Sequence, residues 1–99
     1  MKRADLLRRH RQLTERARQL MELKNRDYGA NEDPFRNFRR HGLYGITVRL
    51  SDKLARLDNF IERGKFSDKD ESLIDSCLDI INYAVLFAAM NEDLSCRKK

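Results

Sequence analysis

The chain has 99 residues, of which 40% are hydrophobic and 37% charged, with a net charge of +5, one proline, four glycines and no tryptophan. This length predicts a single domain over residues 1–99, near the small end of what sustains one core, and the composition excludes collagen-like, disordered and strand-rich sandwich classes. Cys77 and Cys96 stand far apart and the only histidines are His10 and His41, which excludes a CxxC-type zinc site and a secreted disulfide framework.

Residues 4–24 are predicted to form a first helix, with Leu6, Leu7, Leu13, Ala17, Leu20 and Met21 at helical spacing. Its start is basic: residues 2–18 hold seven Lys or Arg against Asp5 and Glu15. Such a face suits nucleic acid, or is simply solvated. Residues 25–33 read as a loop. Asp33 before Pro34 signals a short helix carrying Phe35 and Phe38 and ending at Gly42.

Gly45 opens the next helix, with Ile46, Leu50, Leu54, Leu57 and Ile61 on one face until Gly64. Ser67 is expected to cap the last helix, residues 68–90, with Asp68 and Asp70 placed favourably against its dipole. A polar tail follows over residues 92–99. The predicted class is all-α, a small bundle of three long helices and one short one, with the last helix central. So apolar a helix in so short a chain favours a homodimer or higher homo-oligomer. Met1 leads directly into a charged helix, and the longest apolar run, residues 84–90, is too short to span a bilayer. The expected setting is a reduced cytoplasm, with no membrane contact.

The last helix carries the most informative pattern. Between residues 70 and 96 there is no Lys or Arg, yet Glu71, Asp75, Asp79, Asn82 and Tyr83 gather in one slot beside a broad apolar arc. An acid-only strip calls for cations from elsewhere. The preceding helix supplies them, because Arg49, Asp52, Lys53 and Arg56 share a stripe. Lys53 can extend to water, pair with Asp75 or Asp79, or help wall a pocket in which carboxylates hold Mg²⁺ and basic groups hold phosphate. The loop adds Lys24, Asp27 and Tyr28, then Asn37 and Phe38. An aromatic ring beside charged groups suits stacking of a base, although Asp-Tyr-Gly is equally a turn sequence. No phosphate-binding glycine loop, dinucleotide fingerprint or HExxH motif is present.

The ordered set KNRDYG, the Asn37-Phe38 pair, VRLSDKLARL from Val48 and DESLIDSCLDIINYA from Asp70 resembles a phage and bacterial family, the nucleotide modification associated domain of the first type. The resemblance covers about residues 20–89. That family looks related to the all-α nucleoside triphosphate pyrophosphohydrolases, including dimeric dUTPases and MazG-like enzymes. It implies a MazG-like helical nucleotide cleft, with Asp52, Glu71, Asp75 and Asp79 as metal or water-handling acids. Asp75 and Asp79 would be catalytic, and Lys24, Asp27, Tyr28, Asn37, Phe38, Arg49, Lys53, Arg56, Asn82 and Tyr83 would contact ligand. The chain departs from the pyrophosphohydrolase pattern of ExxE followed by ExxD. Ser76 stands where the second motif needs an acid, and Asp52 and Arg56 replace the paired glutamates.

Three functions follow as expectations. The first is recognition of a nucleotide or modified nucleotide, to sense or sequester it. The second is Mg²⁺-dependent hydrolysis of a nucleoside triphosphate to monophosphate and pyrophosphate. The third is nucleic-acid association through Arg8, Arg9, Arg11, Arg16 and Arg18.

Overall fold

The computed structural model describes residues 1–27, 32–67 and 69–97, with the side chains of residues 26 and 27 outside the description. Among the described residues there are three α-helices and no strands: α1 (Arg3–Asp27), α2 (Leu43–Arg63) and α3 (Glu71–Arg97), with a 3-10 turn at Arg36–Phe38. The all-α reading therefore holds. The boundaries move where local capping differs from the sequence expectation. The first helix continues through Asn25 to Asp27, where a loop is expected, because no glycine or proline interrupts it before that point. The second helix starts after Gly42, whose φ of 62° is a conformation glycine adopts without strain. It stops at Gly64 in the left-handed region, with the Gly64 N–H donating to the Ile61 carbonyl.

The third helix starts at Glu71, three residues after the expected point. Its capping side chain is Asp70, whose Oδ1 accepts the Leu73 N–H at 3.0 Å. The Ser67 hydroxyl instead accepts the Lys69 N–H at 3.2 Å and shapes the preceding turn. At its other end α3 runs on to Arg97, so the expected polar tail is largely helical. Asp93 and Arg97 pair there at 3.2 Å, one turn apart.

α3 is the central element, packing on both α1 and α2, while α1 and α2 have no close backbone approach to each other. The α2–α3 pair is antiparallel. Its core is the cluster of Phe35, Ile46 and Met90, with Phe38, Leu50, Tyr83 and Leu86 packed around it. Ile46 is fully buried because α2 presents it directly at α3. Ala17 and Leu78 are also buried, and the small Ala17 side chain allows α1 to lie close to its neighbour.

Averaged along its length, α3 contains an 18-residue stretch of mean hydropathy 1.6, long and apolar enough by composition to cross a membrane. The uninterrupted-run criterion applied to the sequence passes over it, because Asp75, Asp79 and Asn82 break the run. Only 17% of that stretch is buried within the chain. Much of the helix's outer side is thus open.

The connection between α1 and α2 is fixed by one arginine. Arg39 donates to both oxygens of Asp33 at 2.8 and 2.9 Å, and to Asp93 of α3 at 3.2 Å. Its guanidinium lies over the Phe35 ring, 5.2 Å from the centroid. Asp33 also accepts the Phe35 N–H at 3.1 Å, an Asx-type turn ahead of the 3-10 helix; the helix itself has Phe35 at its N-cap and no side-chain cap, so Asp33 shapes the approach and does not cap it as the sequence suggests. The Arg39 hydrogen bonds foremost, then the Phe35 N–H, hold the Asp33 carboxyl below the ordinary carboxylate range, against the opposing pull of desolvation. A depressed folded pKa contributes stability that is complete above the unfolded value and disappears as pH falls through the folded one. Asp33→Asn is therefore expected to lower the thermal midpoint at neutral pH. The gap from the parent protein should close as pH drops below about 4. Midpoints of helical circular dichroism measured at stepped pH check this.

Candidate functional site

Asp79 occupies the junction of the three helices. Its Oδ2 lies 2.9 Å from Lys53 Nζ on α2, and its Oδ1 lies 3.8 Å from Lys24 Nζ on α1. The Lys53 and Asp79 side chains are 19% and 17% exposed, so this is a mostly sheltered ion pair, whereas Lys24 is half exposed. Of the three roles open to Lys53, the structure shows the salt bridge with Asp79. One turn further along α3, Asn82 Nδ2 donates to the Ala17 carbonyl of α1 at 2.9 Å. That bond captures a helix carbonyl through a side chain from the neighbouring element. Asn82 thus joins α1 to α3, a role distinct from the ligand contact expected of it.

Asp79, Lys24 and Asn82 help to wall a cavity of about 260 Å³ between the end of α1, the 3-10 turn, α2 and α3. Lys24, Asn37, Phe38, Arg49, Asp79 and Tyr83 line it, joined by Asn82 and the apolar Met21, Pro34 and Leu86. Phe38 and Tyr83 meet edge to face, with ring centroids 6.3 Å apart. A second groove of about 440 Å³ adjoins the first and shares Asn37, Phe38 and Arg49 with it. His41, Tyr44, Gly45, Val48 and Asp52 form its remaining wall. Lys24, Arg49 and the Lys53–Asp79 pair leave the cavity with an excess of positive charge. Arg49 is exposed, and its planar fork suits a phosphate or carboxylate.

Six of the ten expected ligand residues line this cavity: Lys24, Asn37, Phe38, Arg49, Asn82 and Tyr83. Lys53 reaches its edge through Asp79. Arg56 is placed elsewhere, in a separate 180 Å³ hollow with Asn59, Arg63 and Ser72. On a helix, its seven-residue offset from Arg49 preserves the face but moves it two turns along the axis. The Asp27 side chain and Tyr28 lie outside the described residues.

The four acids expected to hold Mg²⁺ are not brought together. Among the described residues no group of three or more His, Cys, Asp or Glu could hold a metal ion. Glu71 lies 3.5 Å from Arg16, both Asp79 oxygens face lysines, Asp75 is exposed, and Asp52 belongs to the adjoining groove. Glu71 and Asp79 are eight residues apart on α3, about 12 Å along the axis, too far for their side chains to converge on one ion. This donor arrangement does not fit a multi-carboxylate Mg²⁺ centre.

Of Arg8, Arg9, Arg11, Arg16 and Arg18 on α1, three meet acids: Arg8 pairs with Asp5, Arg18 with Glu15 and Glu22, and Arg16 with Glu71 of α3. Arg9 bonds Gln12. Sequence reasoning did not single out Met21, Pro34, His41 or Tyr44 as wall residues. Met21 belongs to the apolar stripe of α1 and carries no chemical signal, Pro34 and His41 lie in the connection that the Arg39 clasp holds, and Tyr44 stands in the first turn of α2. Comparisons with protein-family models, curated proteins and solved structures find no match.

Asn82→Ala is expected to cost about 0.5–1.5 kcal/mol, since it removes a helix-to-helix hydrogen bond while the Ala17 carbonyl keeps its place in the α1 ladder. The loss should be regional. Amide hydrogen exchange should accelerate across α1 around Ala17, and α2 should keep its protection.

Proposed function

We propose that the protein recognises a phosphate-bearing nucleotide in the cavity between α1, α2 and α3. The observation that carries this reading is the juxtaposition, in one cavity, of Lys24 and Arg49 with the Phe38–Tyr83 aromatic pair. The cations suit the phosphates, and the rings, with the adjoining apolar groove, suit a planar base. Asn37 adds both a donor and an acceptor for a base edge or sugar hydroxyl. In this reading Asp79 does not take a metal. It holds Lys53 and Lys24 in place, so that an incoming phosphate meets cations already ordered.

Recognition without hydrolysis is favoured over Mg²⁺-dependent pyrophosphohydrolysis by the carboxylate arrangement, since Asp79 faces two lysines and Glu71 faces an arginine. Nucleic-acid association through α1 has less support, because Arg8, Arg16 and Arg18 already pair with acids of the same chain.

Titration calorimetry with pyrophosphate, nucleosides and the common nucleoside and deoxynucleoside mono- and triphosphates tests the proposal. Nucleotides should bind more tightly than either nucleoside or pyrophosphate alone. Arg49→Ala should weaken nucleotide binding about tenfold or more, as expected for a lost charge-assisted contact, without lowering the thermal midpoint. Equal affinity in Arg49→Ala, or no binding of any of these compounds, would remove the cavity from consideration. Mg²⁺-dependent appearance of monophosphate and pyrophosphate would move the protein to the hydrolase reading.

A further inference from the structure

The chain presents far more surface than a compact protein of its size. Its accessible area is 8159 Å², where a folded monomer of this mass exposes about 5,900 Å². The radius of gyration is 15.6 Å, against about 13 Å for a compact chain of 100 residues. Part of the excess belongs to the elongated outline, 46 Å in its longest dimension. The remainder has a definite chemical character.

On α2, Leu43, Thr47, Leu50, Leu54, Leu57 and Ile61 follow alternating steps of four and three, the spacing of a helix seam that meets another helix. Leu43, Leu50 and Leu57 are half-buried, but Leu54 and Ile61 stand 51% and 62% exposed. On α3, Leu73, Cys77, Ile80, Ala84, Phe87 and Asn91 repeat the same spacing, with Ala88 beside them. Ala84, Phe87 and Ala88 are exposed. No charged residue falls on this α3 strip, since Glu71, Asp75 and Asp79 lie on the opposite arc.

The two strips face the same way. Arg49 marks the flank of α2 that turns toward α1, and Leu54 and Ile61 occupy the other flank. Asn82 marks the flank of α3 that bonds α1, and Ala84 and Phe87 occupy its other side. Both strips therefore lie on the side of the hairpin away from α1 and away from the nucleotide cavity.

We propose that a second copy of this chain covers this face, so that two α2–α3 hairpins form a four-helix layer around a twofold axis. A self-complementary patch is what a twofold interface requires, and two seams of heptad spacing meeting two others satisfy all four helices at once. The area agrees. Stable interfaces bury about 800 Å² per partner, a fraction of the roughly 2,200 Å² by which the whole chain, its elongation included, exceeds a compact monomer. Cys77, Ala84 and Ala88 are small enough to allow close approach where the hairpins cross, and Leu54, Ile61 and Phe87 supply the bulk on either side. A bilayer also accepts an apolar helix, but it would have to leave dry the charged α1 and α2 that pack on α3 through Asp79, Lys53 and Asn82.

Sedimentation velocity on the full chain at tens of micromolar, together with flotation on phosphatidylcholine–phosphatidylglycerol vesicles, tests the proposal. The expected result is a species of twice the 11.8 kDa chain mass that does not float. Leu54→Glu and Ala84→Glu change positions exposed in a single copy, so each should leave helical circular dichroism in place and convert the dimer to monomer at concentrations where the parent is wholly dimeric. Should either variant unfold, a spin label at Ala84→Cys in a Cys77→Ser, Cys96→Ser background gives an independent reading. Dipolar broadening between copies is expected at Ala84 and not at Arg11→Cys in the same background. A monomeric parent, a dimer that survives both glutamates, an unbroadened label at Ala84, or flotation without dimerisation would each overturn the proposal.

Discussion

Everything in this fold that bears on function is tied to the carboxylate of Asp79. Among the described residues, helices α1 and α2 do not approach one another closely, and α3 is the one long element that touches both. At Asp79, a side chain of α3 meets a lysine from each neighbour, and the shorter contact is the more sheltered. An ion pair in this setting is not a strong source of net stability, because desolvation consumes much of the Coulombic gain. Its value is geometric. Removing Lys53 or Asp79 strands a sheltered charge among the helices, so the register of α2 against α3 is held where Lys53 can reach Asp79.

That constraint also shapes the cavity. With Lys53 drawn onto Asp79, Arg49 one turn earlier on α2 stands at the cavity mouth, and Tyr83 one turn later on α3 meets Phe38. Phe38 is delivered by the connection that Arg39 pins to Asp93. Two polar clusters at opposite ends of the site thus place one aromatic pair between them. The apolar core of Phe35, Ile46 and Met90 lies beneath, so the cavity floor is rigid while its cations remain accessible. The open strip of α2 and α3 faces the other way, leaving cavity and proposed dimer surface without a shared residue.

Much of this was readable in the sequence because helical periodicity is strong here. The acid-only slot of the last helix and the basic stripe before it predicted a meeting of opposite charges, and the Lys53–Asp79 pair is that meeting. Gly64 ends the middle helix as its conformational freedom suggests, whereas the helix begins after Gly42 and not at Gly45. What escaped were effects of tertiary folding. Ser67 and Asp70 are both good caps, and only the path of the turn selects Asp70. The shared stripe of Arg49 and Arg56 says nothing of where along the axis the cavity ends. Likewise, the acids Asp52, Glu71, Asp75 and Asp79 form a list of Mg²⁺ ligands in sequence, but each meets a different environment in the fold. Arg39, which holds Asp33 and Asp93 together, links residues too distant for any local pattern to connect.

The most direct measurement is a double-mutant cycle in urea at the helix junction, using Lys53→Met, Asp79→Asn and the pair, with Lys24→Met as the exposed reference. Each single change at the sheltered pair should cost more than the half-exposed Lys24 does, because it leaves a charge or an amide without its partner. The Lys53–Asp79 coupling should exceed about 1 kcal/mol, and the Lys24–Asp79 coupling should fall below it. Additive effects of Lys53→Met and Asp79→Asn, within about 0.3–0.5 kcal/mol, would mean that this carboxylate does not join the helices.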